Sequence, residues 1–239
     1  MNPKKRFLVS LAAVGALAFP TAGIAAPATA AATSEAVRIA LVLAVLAVIP
    51  AILISMTSFV RIVIVLAMVR HAFGMPQTPP NAVLTSLALF MTAFVMAPTF
   101  SAVNEDALQP FLEGRAEIGE VVERGGAPLR EFMLAHTRDR DLEAIYAISN
   151  APPPSRAEDV DLLKLTPAFM LNELRVAFTI GFVVLLPFLL IDLVVASILL
   201  SLGMMMVPPA TISLPIKVLM FVLIDGWSLV MEGLLGSFR

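Results

Sequence analysis

The sequence predicts an all-α integral membrane protein: four long apolar helical segments arranged as two hairpins, with a helical insert on the extracytoplasmic side. Three observations carry this reading. Hydrophobic residues make up 59% of the 239 positions and mean hydropathy is +0.93, too apolar for a soluble domain of this length. The apolar positions are gathered into runs close to the roughly 20 residues that cross ~30 Å of hydrocarbon at about 1.5 Å per residue. Thirteen of the eighteen acidic residues fall between Glu105 and Asp161, so charge is segregated from those runs. There is no cysteine, which excludes disulfides, thiol catalysis and thiolate metal sites.

Residues 1–26 read as a cleaved signal peptide. Lys4, Lys5 and Arg6 precede an apolar stretch from Phe7 to Phe19, and the small residues after Thr21 supply a cleavage region near Ala25 or Ala26. The alternative is an uncleaved first anchor, but the apolar stretch falls short of the ~20 residues of a span. Such a peptide sends the mature N-terminus outward. A tether of Ala, Thr and Pro follows over residues 27–39.

Residues 40–103 are expected to form the first hairpin. Ala40 to Phe59 is uncharged, and the apolar run resumes from Ile62 to Val69. Arg61 lies between them. A charge at mid-bilayer costs roughly 2.5–3.5 kcal/mol on insertion scales, so Arg61 is expected either to face protein or to mark the end of the span. Arg70 and His71 place that end in the cytoplasm by the positive-inside tendency. Gly74 to Asn81 holds three prolines and a glycine, which forces a turn, and Val83 to Val103 returns outward as the second span.

Residues 104–166 form the polar insert, expected on the periplasmic side. Leu129, Phe132 and Met133, then Leu142, Ile145 and Tyr146, recur at helical spacing and predict short amphipathic helices. A solvated face accounts for their charges.

Residues 167–239 are expected to form the second hairpin, with arms from Val176 to Leu202 and Ala210 to Leu235. Its turn, residues 203–209, contains Gly203, then Met204, Met205 and Met206, then Pro208 and Pro209. Glycine ends the first arm, the proline pair forbids its continuation, and three unbranched, polarizable side chains are left at the tip. Methionine is ordinarily core filler, but filler is scattered on a helical period and not stacked at a turn. The tip therefore reads as a deformable seal.

Asp192, Lys217 and Asp225 of this region must be partnered or the segment must lie outside lipid, and Glu173 is a further candidate intramembrane or subunit-contact charge. Asp192 and Lys217 flank the methionine turn at similar distances, roughly 18 Å along each arm, so they are expected to neutralise each other or equivalent groups on neighbouring subunits. Left unpaired, Asp192, Lys217 and Asp225 together cost roughly 8–10 kcal/mol on insertion scales. A proton or ion pathway is the functional alternative. Trp227 reads as an interfacial anchor.

Catalytic, cofactor and metal chemistry find no support. The two histidines, His71 and His136, lie in different regions, and no metal-ligand spacing, nucleophile elbow, phosphate loop or dinucleotide fingerprint is present. Nor is there a basic patch interleaved with aromatics for nucleic acid.

Several stretches resemble the FliP/SctR type III export-gate family, on its flagellar side. They are Thr57 to Leu66, Gln77 to Asn81, Leu87 to Phe90 continuing to Phe94–Pro98, and Pro167-Ala168-Phe169 with Glu173-Leu174 and Ala177 to Phe182. To these are added Pro187 to Val194, the methionine turn, and Pro215-Ile216-Lys217 through Asp225-Gly226-Trp227. The resemblance covers nearly all of the mature chain. It implies a non-enzymatic core subunit of the flagellar export apparatus, in an oligomeric pore of five-fold symmetry with FliQ-like and FliR-like subunits. FlhA-like and FlhB-like proteins are the implied neighbours, and unfolded rod, hook and filament proteins the implied substrates. It further implies that Met204, Met205 and Met206 form a gasket around a closed pore in the bacterial inner membrane. In such a complex much of the assembly stands above the membrane plane, which would place Arg61, Glu173, Asp192, Lys217 and Asp225 at subunit contacts.

Three other readings remain open at this stage. One is the paralogous injectisome export gate, with virulence effectors as substrates; the signal peptide and the wording of Gln77 to Asn81 and Pro128 to Leu134 favour the flagellar side. The others are a small-ion channel or proton-coupled transporter, and a purely structural nucleus for basal-body assembly.

Overall fold

The computed structural model describes residues 40, 43, 44, 47–75, 77–152, 154 and 156–238. The chain divides into two units, Met1–Val48 and Ile49–Arg239, and the second carries the features below. The signal peptide, the tether and residues 41, 42, 45 and 46 of the first apolar run lie outside the described residues.

Every regular element described is helical. In order they are α1 (Ala47–Ser55), α2 (Phe59–Ala72), α3 (Asn81–Val95), α4 (Ala97–Val103), a π-helical turn (Asn104–Leu108) and α5 (Gln109–Leu112). Then come α6 (Ile118–Ala135), α7 (Asp139–Ile148), a 3-10 turn (Ala157–Asp159), α8 (Leu162–Ser201), α9 (Pro209–Leu223) and α10 (Gly226–Gly236). One helix, α8, is by itself long and apolar enough to cross a membrane, and the count reaches four if each bent pair is one span.

Local chemistry fixes most of these boundaries. Asp161 caps α8 by accepting from the Leu163 amide at 3.0 Å, and Glu120 reaches back to the Glu117 amide at 3.3 Å to close the start of α6. Arg70 and His71 sit in the last turn of α2, where cations suit the helix dipole. Pro209 opens α9 at its first position, where a missing amide hydrogen leaves no bond unmade. The expected amphipathic helices of the insert are α6 and α7.

Three expected straight segments are bent. The run through Phe59 breaks between α1 and α2 at 67°, Val83 to Val103 breaks between α3 and α4 at 65°, and Ala210 to Leu235 breaks between α9 and α10 at 66°. Each break has a local cause. Before the first, the hydroxyls of Ser55 and Thr57 donate back to the carbonyls of Ala51 and Leu53, a pattern that bends helices. At the second, Pro98 lies in the first turn of α4. The third is centred on Asp225, whose backbone is left-handed at φ 49°.

The third apolar segment departs from expectation in the other direction. α8 is a single helix of forty residues that begins at Leu162, inside the polar insert, and runs through Pro167 and Pro187 without a break. At about 1.5 Å per residue it is roughly 60 Å long, twice a hydrocarbon core. Its first turns belong to the insert and its remainder to the apolar layer.

α2 lies alongside α8 and runs in the same direction. Arg61 meets Glu173, Met68 meets Gly181, and Phe73 meets Phe188, so residue numbers rise together along both helices. Gly181 permits the close approach: a β-carbon there would collide with the Met68 sulfur. The core is built around this pair, with Ile62, Val65, Leu66 and Val69 fully buried against Ala177, Leu84 and Ala88. At its far end Phe221 of α9 packs edge-on against Phe73 at 4.7 Å and against Trp227 at 5.4 Å. Trp227, read from sequence as an interfacial anchor, is thus also part of an aromatic cluster. A second, smaller core of Met133, Tyr146, Val160, Leu165 and Phe169 seats the insert on the start of α8.

Candidate functional site

The methionine turn is closed by backbone bonds, with the Ser201 and Thr211 hydroxyls donating to the Ile198 and Pro208 carbonyls on either side. Gly203 adopts φ +74°, its amide donates to Leu200 at 3.1 Å, and the Met204 amide donates to Leu199 at 2.9 Å. This is the paired pattern that ends helices at a left-handed glycine, and it satisfies carbonyls that α8 would otherwise leave open. Pro208 and Pro209 then fix the entry to α9. The backbone is bonded and the side chains stand out from it: Met204 is 44%, Met205 80% and Met206 95% exposed. Gly203, the three methionines and the proline pair therefore form one feature, an apolar and adaptable tip on a backbone-bonded base.

The five charged residues singled out from the sequence sort into two pairs and one separate acid. Arg61 of α2 and Glu173 of α8 form a buried, two-toothed pair, with side chains 2% and 0% exposed. Arg61 Nε donates to Glu173 Oε2 at 2.8 Å and a terminal nitrogen donates to the other carboxylate oxygen. Fork-to-carboxylate geometry of this kind is what makes a buried arginine tolerable. Lys217 Nζ donates to Asp192 Oδ2 at 2.6 Å across α8 and α9; the lysine side chain is 7% exposed and the aspartate 41%. Asp225 makes no ion pair among the described residues.

Three further contacts were not legible from spacing. Ser237 and Phe238, at the end of the chain, complete the surroundings of Arg61. The Asn172 side-chain amide donates to the His136 carbonyl at 2.6 Å, joining the α6–α7 turn to α8. Arg175 forms a two-toothed pair with Asp141 of α7, one bond measuring 2.8 Å. The expectation that a solvated face accounts for the charges of the insert fails at Asp141, which is buried on α7 because Arg175 of α8 supplies its partner.

The Arg175 guanidinium, hydrogen-bonded to Asp141, holds that carboxyl below its ordinary value of 3.8. A carboxylate with a lowered value in the folded state stabilises above the unfolded value and loses that contribution as pH falls through the folded one. Acidification below the ordinary aspartate range is therefore expected to loosen α7 from α8. Amide exchange in α7 followed from neutral to acid pH should show the loss, and Asp141→Asn should exchange fast at neutral pH and flatten the response. An unchanged acid response in Asp141→Asn would place its origin elsewhere.

Among the described residues no group of three or more His, Asp or Glu side chains is placed to hold a metal ion. What the arrangement offers is mechanical: a long helix with paired charges, a soft tip and extensive apolar surface. Phe182, Leu190, Leu193 and Val194 of α8 and Leu219, Val222 and Leu223 of α9 are all more than half exposed.

Comparison with known proteins decides the family. The model of the FliP family matches residues 42–234. The chain belongs to the FliP family. It is 48% identical over 205 residues to the flagellar biosynthetic protein FliP of Bacillus subtilis (strain 168), covering 86% of this chain and 93% of that one. It is 46% identical over 236 residues to the FliP protein of Caulobacter vibrioides, covering 96% and 89%. Against the FliP protein of Pectobacterium carotovorum the figures are 51% over 189 residues, covering 79% and 73%. The matched region includes both charge pairs and the methionine turn. Membership makes this a flagellar biosynthesis protein from a family that is not one of enzymes.

Proposed function

We propose that the chain is the core channel and gate subunit of the flagellar type III export apparatus, passing unfolded rod, hook and filament proteins across the inner membrane during flagellum assembly. The observation that carries the reading is the exposed methionine tip on a backbone-bonded turn in a member of the FliP family. An apolar tip is costly in water and is expected to be covered by the same tip on neighbouring copies. Methionines packed against one another around an axis can yield to varied side chains as a chain passes and close behind it.

The exposed apolar faces of α8 and α9 are the surfaces such an assembly would bury. On this reading five copies join FliQ-like and FliR-like subunits, with FlhA-like and FlhB-like proteins nearby. The complex sits in the inner membrane within the flagellar basal body, and the insert carrying α6 and α7 lies on the periplasmic side.

An in-frame deletion, scored for hook and filament proteins in the culture supernatant, tests the role. Export should disappear and return on complementation with the intact gene. Unchanged flagellar export in the deletion strain would refute the assignment.

A further inference from the structure

We infer that the end of the chain, Ser237 and Phe238, is a latch that closes the buried Arg61–Glu173 pair against water and fastens the insert to the apolar helices. Glu173 satisfies only part of the guanidinium. The remaining terminal nitrogen of Arg61 donates to the Ser237 carbonyl at 2.8 Å and to its hydroxyl oxygen at 3.0 Å. Ser237 follows the last residue of α10, so Arg61 is a cation placed at a helix C-terminus, where open carbonyls favour it. The Ser237 hydroxyl in turn donates to the Leu234 carbonyl at 2.7 Å, which fixes it for that role.

Phe238 covers what Ser237 does not. Its ring centroid lies 3.8 Å from the guanidinium carbon of Arg61, a close cation–π contact. The same ring is 5.6 Å from the imidazole of His136, which is 4.5 Å from Phe132, which meets Phe169 of α8 at 5.9 Å. One aromatic chain thus joins the end of α10, the α6–α7 turn and α8 around a single buried arginine. Opening the latch loosens the last turn of α10, where the Ser237 amide donates to Gly233 and the Phe238 amide to Leu235. A hollow of about 410 Å³, lined by Arg61, His136, Asn172, Val176, Ser237 and Phe238, adjoins these residues. When they move away, the face of Arg61 that they cover opens to that hollow and to water.

The test is the reactivity of Arg61 toward phenylglyoxal in the full-length protein in native membranes, read by peptide mass spectrometry. Phe238→Ala and deletion of residues 237–239 are each expected to raise modification of Arg61 about thirtyfold, the scale of a lost desolvated cation–π contact. Phe238→Tyr keeps the ring and should stay near the parent rate. Equal modification in the parent and in Phe238→Ala would overturn the latch, as would Phe238→Tyr reacting as fast as Phe238→Ala. Should both disruptive variants fail to accumulate, the parent chain still decides: Arg61 modification and exchange of the Phe238 amide should share one temperature dependence, and unrelated dependences would refute the proposal.

Discussion

Replacing Glu173 with alanine is expected to destabilise the protein by about 3–5 kcal/mol, because it leaves Arg61 as an uncompensated charge in the interior. The pair is buried on both sides and Arg61 has no second carboxylate in reach among the described residues. Glu173→Gln should cost less, since an amide oxygen still accepts one bond, but it cannot replace the two-toothed carboxylate. The informative control is the double variant Arg61→Met with Glu173→Leu. Two apolar side chains of similar volume remove both desolvation costs, so much of the stability should return. Thermal denaturation of the detergent-solubilised protein measures the series. A Glu173→Ala variant within about 1 kcal/mol of the parent would show that water reaches Arg61 in the native state.

Lys217→Ala is expected to have the next largest effect. It strands Asp192 on an otherwise apolar stretch of α8, flanked by the exposed side chains of Leu189, Leu190 and Leu193. A lone carboxylate in such a setting costs roughly 2.5–3.5 kcal/mol at mid-bilayer. Asp192 keeps 41% of its side-chain surface open, which allows partial rehydration, so about 2 kcal/mol is the expected loss. The reciprocal exchange, Asp192→Lys with Lys217→Asp, tests the contact itself. Each single reversal should prevent accumulation of the protein in membranes, and the double reversal should restore it. If the double behaves like the worse single variant, pairing between these two side chains is not what stabilises α9 against α8.

These two pairs also show what can be read from a sequence of this kind. Asp192 and Lys217 are 25 positions apart and nearly symmetric about a marked turn, so helix rise alone puts them at one depth. Arg61 and Glu173 are 112 positions apart. Hydropathy left Arg61 either facing protein or marking the end of a span, and nothing local named a partner. Ser237 and Phe238 carried no signal at all, since a serine and a phenylalanine at a chain end fit many structures.

The apolar segments were legible as composition and less so as geometry. A hydropathy window sees Val83 to Val103 as continuous because Met96 and Ala97 are as apolar as their neighbours. The bend depends on Pro98 and on the Thr92 hydroxyl returning to its own helix, and neither lowers the window mean enough to interrupt the run. The difference at α8 is one of extent: the expected arm began at Val176, and the helix starts at Leu162, inside the polar insert. The methionine turn was legible because glycine, methionine and proline each state a local preference there and all three agree.

The central claim is that the methionine tip seals a pore, and the most direct measurement is membrane leak through an otherwise intact complex. Met204→Gly, Met205→Ser and Met206→Gly combined keep Gly203 and the proline pair, so the turn retains its backbone frame. Assembly is read by native electrophoresis of membrane extracts, and leak by uptake of a small fluorescent dye into cells. Complexes of parental size together with dye uptake well above the parent are the expected result. Complexes of parental size with no leak and normal export of hook and filament proteins would contradict the account.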